Sequence, residues 1–296
     1  DSSTSRGLGD VYKRQEYMIG SRICLDEVKD KVLYHYTKSN GINGIMNNKC
    51  FWATKNDFLN DPKEFLYVNK ILKKVLINYI GNDDKIGMFL EDVNNSGNSE
   101  YFVLSFSCCR DSITMWAEFG NANGYNIGFD SRKIIKRIDE ANEVEYHGLV
   151  IYDRDKQIKY IHEFMEQFIK EFPQFTDMVD KGYNDRNDEE YRRMCISFSD
   201  KISIYSMFFK AEAFSQEKEY RFVFAKKSDT KVHFRVREGY IIPYIEVPLS
   251  TETLPVNEIV VAPKNHIDLA KKGMDYMMKA LNYDVPVTLS DIKLRY

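Results

Sequence analysis

The sequence predicts an α+β domain of mixed strands carrying a helical insertion at about 154–210. Three observations carry this. The last third packs four strand patterns close together: EYRFVFA, VHFRVR, YIIPYIEV and NEIVVAP. Between Arg154 and Lys210 the apolar residues change to helical spacing. The first third alternates short strands with capped helices, and no internal repeat or low-complexity linker interrupts it.

Taken in order, Val32–Tyr36 is apolar and β-prone, and predicts a strand. Ser39 or Asn40 then caps a helix in which Ile42, Ile45 and Met46 fall at helical spacing. KCFWAT, 49–54, predicts a second strand. Asp61, Pro62 and Glu64 form a helix start: a capping carboxylate, proline in the first turn and glutamate in the third position. That helix runs to about Ile80, with Phe65, Val68, Leu72, Val75, Leu76 and Tyr79 on one face. Residues 81–98 read as a polar loop and Tyr101–Ser105 as a strand. Asp111 or Ser112 caps a short helix ending near Gly120, and Asn123–Gly124 turns into the strand YNIGFD. A further strand spans about 143–152. Two helical periods follow, Ile158 to Phe172 and Tyr191 to Phe209, separated by a loop holding Pro173 and Gly182. After the four late strands, a helix over about 267–281 buries Met274, Met277, Met278 and Leu281, and VPVTL adds a short strand.

With 296 residues, 43% hydrophobic and 29% charged, the chain has the apolar content for a sizeable core. The net charge of −3 excludes a global basic footprint for nucleic acid. Five cysteines without CxxC spacing indicate neither a disulfide framework nor a zinc site, so no metal is expected and a reducing cytoplasm fits best. No apolar run reaches the roughly 18 residues a membrane span needs. The first 15 residues, DSSTSRGLGDVYKRQ, read as a disordered, adapter-derived segment, leaving 16–296 as a single domain.

Four stretches can carry chemistry. In LYHYT, strand alternation sends His35 and Thr37 to one face and Tyr36 to the other; imidazole and hydroxyl both suit ribose oxygens. A structural histidine near a helix start is the plainer reading. In WATKNDFLNDPKE, capping accounts for Asp61, Pro62 and Glu64, and leaves Asn60 as the residue to watch. In LSFSCCRDSITMWAEFGNANGYNIGFD, Ser105 and Ser107 share a strand face. Tyr125, beside Gly124, can offer a ring to a planar ligand because glycine permits close approach. In FSQEKEYRFVF, Tyr220, Phe222 and Phe224 face the core, while Glu217, Glu219 and Arg221 share the other face. Carboxylates there can hold a ribose hydroxyl or stabilise an oxocarbenium ion; an exposed Glu–Arg pair is the alternative. GxGxxG, Walker, HExxH and GxSxG patterns are absent.

Together these stretches resemble an uncharacterised bacterial family, domain of unknown function 2971, over about Leu33 to Pro263. A strand ending in H-x-T, followed by a helix with GI..I and a short strand, is also similar to the opening of the ADP-ribosyltransferase superfamily. That second resemblance implies split, largely antiparallel sheets gripping NAD, with His35 on ribose and Thr37 following it. It implies Glu219, or in competition Glu217, as the carboxylate that stabilises the cation as nicotinamide leaves. Tyr125, or Tyr36, would stack on nicotinamide. The implied activity is transfer of ADP-ribose to a protein, a nucleic acid or water, in a toxin or phage-defence effector. The same residues leave open a nuclease or RNA-processing effector, with Arg221 as a phosphate clamp, and a non-catalytic nucleotide-binding module.

Overall fold

The computed structural model describes residues 32–59, 64–97, 99–120, 124–182, 189–237, 239–249, 252–263 and 267–292. Asn60, the Asp61–Pro62 cap and the N-terminal segment lie outside the described residues. The chain forms two compact units. One comprises the described parts of 1–55, 101–149 and 216–296; the other, 56–100 and 150–215.

The first unit is an α+β structure built on a mixed, largely antiparallel open sheet of ten strands. These are β1 (Val32–Thr37), β2 (Cys50–Lys55), β3 (Tyr101–Ser107), β4 (Tyr125–Asp130), β5 (Tyr146–Leu149), β6 (Glu219–Ala225), β7 (His233–Arg237), β8 (Tyr240–Pro248), β9 (Val256–Val261) and β10 (Val287–Leu289). The order is β10-β9-β4-β1-β3-β2-β8-β7, and β3 also pairs with β6, which pairs with β5. Only β9 and β10 run parallel. Helices α1 (Ser39–Asn48), α4 (Ser131–Ala141) and α8 (Ile267–Ala280) belong to this unit.

One sheet face buries Leu33, Phe51, Phe102, Leu104, Phe106, Ile127, Phe129, Tyr220, Phe222, Phe224 and Val247, with Ile42, Met46, Ile134, Ile138, Met274 and Met278 from the three helices. Period-two alternation sets this face. Gly124 is required where β4 begins: a Cβ there would lie 2.2 Å from the Thr37 carbonyl oxygen. The close approach read from the sequence is therefore made by the protein's own backbone. Since backbone cannot move aside cheaply, Gly124→Ala is expected to destabilise by about 1–3 kcal/mol, read as a lowered urea midpoint at unchanged slope.

The second unit is helical: α2 (Glu64–Ile80), α3 (Asp83–Ser96), α5 (Arg154–Glu171), α6 (Phe175–Gly182) and α7 (Glu189–Phe208). Its core interlocks Phe89, Phe164, Phe168, Phe175 and Phe198, mostly edge to face. The helices expected as an insertion at 154–210 thus share a unit with 56–100 instead of standing alone.

Several local expectations change. The loop expected over 81–98 is largely α3: the Asn82 side chain accepts from the N–H groups of Asp84 and Lys85, and Ile86, Phe89, Leu90 and Val93 are buried at helical spacing. Neither Ser39 nor Asn40 caps α1; Lys38 holds the cap position without a side-chain bond. The strand expected over 143–152 is confined to Tyr146–Leu149.

Candidate functional site

The site begins where the sheet parts. β1 pairs with β4 along its whole length, from Val32–Asp130 to Thr37–Tyr125. Against β3 it shares one register pair, Tyr34 with Ser107. β3 meanwhile pairs β6 from Tyr101 to Ser107, and meets β2 only at Val103 and Phe102. β1 and β2 therefore divide one edge of β3 between them.

His35 fills the parting. Its Nδ1 lies 3.1 Å from the Ser105 carbonyl oxygen, which can only accept, so Nδ1 carries the proton and Nε2 is a bare acceptor. Nε2 bonds nothing among the described residues, and the side chain as a whole is half-buried. Phe51 and Phe106 stand against the ring at 5.3 and 5.4 Å. Burial, and then the positive charge of Arg235, push its pKa down to about 4 against an upward pull from Ser105. The imidazole is neutral at pH 7. The unfolded chain binds this proton near pH 6.5 and the folded chain only near pH 4. Stability is therefore fully present above pH 6.5 and falls towards pH 4, by at most about 3 kcal/mol. His35→Leu should flatten this acid limb; urea midpoints at pH 7.5 and 4.5 that drop equally in both proteins would contradict the assignment.

Thr37 lies on the His35 face, but its hydroxyl presses on α1: a Cβ at Gly41 would sit 2.0 Å from Thr37 Oγ1. Tyr36 points to the opposite face. Its hydroxyl donates to the Cys109 carbonyl (2.9 Å) and accepts from the Ser112 N–H (3.1 Å), and its ring meets Trp116 at 4.7 Å. Tyr125 packs against the main core and donates to the Ala270 carbonyl at 3.4 Å. Both tyrosines expected to stack on a ligand are engaged within the protein.

Glu219 and Arg221 alternate away from Tyr220 and Phe222, so they stand on the face opposite His35. Glu219 is 4% exposed and Arg221 2%. One Glu219 oxygen receives both Nε (2.6 Å) and Nη2 (2.5 Å) of Arg221. The exposed Glu–Arg face considered from the sequence is in fact buried. Ser105 opposes Arg221 in register, and Ser107 opposes Glu219. Glu217 is also buried, but it does not share the strand's alternation. It ends a 3₁₀ turn, and Lys218, at φ 43°, sits in the left-handed region between the two glutamates. The Ser107 hydroxyl donates to the Glu217 carbonyl (2.6 Å) and accepts from the Cys109 N–H (3.0 Å), tying this turn to the end of β3.

The structure thus brings Ser105, Glu219 and Arg221 together on one face, with Glu217 at its end. It leaves His35 and Thr37 on the other face, where Tyr125 opposes Thr37 in register and packs against the main core. Sequence reasoning passed over Arg235, although the alternation in VHFRVR places His233, Arg235 and Arg237 on one side. No group of three or more His, Cys, Asp or Glu among the described residues is placed to hold a metal ion, and no described helix is long and apolar enough to cross a membrane.

Residues 115–222, from the Trp116 segment to the Glu219 strand, match the family profile described as a protein of unknown function (DUF2971). The match supports an uncharacterised domain family. No curated protein and no solved structure gives a significant match.

Proposed function

We propose that this chain binds a nucleotide, with NAD as the first candidate, where β1 and β3 part, and that it cleaves the nicotinamide N-glycosidic bond. The observation that carries the binding reading is the Nε2 acceptor, unpartnered among the described residues, of a neutral, half-buried His35 fixed by the Ser105 carbonyl. Such an acceptor suits a ribose hydroxyl. In the cleavage step the C–N bond pair leaves with neutral nicotinamide, and the ribose becomes an oxocarbenium ion. Water or a macromolecular hydroxyl then attacks and loses its proton, or a macromolecular carboxylate attacks and, having no proton to lose, forms the neutral ester. Glu219 would stabilise the cation, at the carboxylate that Arg221 now holds. His35 and Glu219 stand on opposite faces, so one ligand would meet both only by passing beside β3 where β1 diverges from it beyond the Tyr34–Ser107 pair.

That same ion pair favours a second reading, a nucleotide-binding module without turnover, because it already satisfies the carboxylate. Calorimetry with NAD tests the binding common to both. His35→Ala is expected to weaken NAD binding by about tenfold, the loss of one good hydrogen bond. Equal affinity for wild type and variant would remove His35 from the site.

A further inference from the structure

The face of β2, β8 and β7 that carries Trp52 gathers three rings and a guanidinium that the chemistry above does not use. Register sets Tyr244 of β8 between Thr54 of β2 and His233 of β7. The Trp52 ring lies 4.5 Å from that of Tyr244 at 32°, and His233 stacks on Tyr244 at 5.5 Å and 28°. Arg235 reaches across β8. Its Nη2 donates to Thr54 Oγ1 at 2.7 Å, and its guanidinium carbon stands 5.9 and 5.8 Å from the centres of Trp52 and Tyr244.

Three observations mark this group as awaiting an anion. No described carboxylate pairs with it; its contacts are the Thr54 hydroxyl and the two rings. Its Nε is buried and bonds nothing among the described residues. Arg237, two residues along the same face, adds a repulsive positive charge. A partly buried cation without a counter-charge is costly, and the planar guanidinium fork matches a phosphate. Trp52, 46% exposed, offers ring surface to a base.

We propose that Arg235, with Thr54 and the Trp52–Tyr244–His233 rings, binds the phosphate and base of a nucleotide. This deepens the nucleotide reading above, and rests on it only for the class of ligand. Adenosine, AMP, ADP and inorganic pyrophosphate would be titrated into wild type, Arg235→Met and Arg235→Lys, reading heat and tryptophan fluorescence. The chain has two tryptophans and Trp116 is buried, so Trp52→Phe assigns the signal. The expected result is ADP bound roughly tenfold more tightly than adenosine, with Trp52 quenched. Arg235→Met should erase that difference and Arg235→Lys keep part of it, both with native circular dichroism. Equal affinity for adenosine and ADP in the wild type, unchanged ADP affinity in the natively folded Met variant, or no binding of any of the four overturns the proposal. Pyrophosphate bound as tightly as ADP without quenching overturns its aromatic half. Loss of nicotinamide release with Arg235-dependent ADP binding intact would sink the cleavage reading alone.

Discussion

Arg221→Met is expected to destabilise the protein by about 3–5 kcal/mol, because it takes from the buried Glu219 carboxylate the two guanidinium donors that balance its charge. Both side chains are almost fully buried, and the guanidinium gives two donors to one Glu219 oxygen. Burying two charges costs desolvation that their attraction only partly returns, so the pair contributes little net stability while either half alone is costly. Adding Glu219→Gln to Arg221→Met removes the stranded charge and should recover much of the loss. Urea denaturation of wild type, both single variants and the double variant closes the cycle. A double variant as unstable as the sum of the singles would show that the two groups act independently.

Phe106→Ala should cost about 3–5 kcal/mol through the cavity it leaves. Phe106 is buried on β3, the strand from which β1, β2 and β6 all diverge. Its ring meets His35, Phe51, Phe129 and Phe222 at 5.4, 5.5, 6.0 and 5.8 Å, so it joins four strands at the parting. The variant should also loosen His35, raising the imidazole pKa from about 4 towards its ordinary value as water reaches the ring. Thermal unfolding reads the first effect, and histidine NMR titration the second. A Phe106→Ala protein that keeps wild-type stability would place the core elsewhere.

Much of the fold was legible because period-two and period-3.6 patterns are local. The four late strands, the helix over 267–280 and the strand at 32–37 follow from alternation and capping alone. Sheet order was not legible. Nothing local tells that β3, third in sequence, lies between β1 and β2, or that it also carries β6. The burial of the face that carries Glu219 and Arg221 was not legible either. The α3 helix was hidden by its polar residues, although Asn82 and the Ile86–Phe89–Leu90–Val93 spacing mark it. Helix α4, whose buried Ile134 and Ile138 keep the same period, was passed over between two strands. At the candidate site, residue types were legible and faces were not. Alternation separates His35 from Tyr36, but which of them shares a face with Glu219 depends on the long-range pairing of β3 with β6 and on its Tyr34–Ser107 pairing with β1.

The most direct measurement is nicotinamide release from NAD by purified protein in cell lysate, for wild type, His35→Ala and Glu219→Gln. The account predicts release by the wild type, a marked fall in the His35 variant through weakened binding, and none from Glu219→Gln, which keeps the shape of the carboxylate but not the negative charge that stabilises the cation. Full release by Glu219→Gln, with its fold intact, would contradict the assigned chemistry, and no release together with no NAD binding by the wild type would contradict the NAD reading itself.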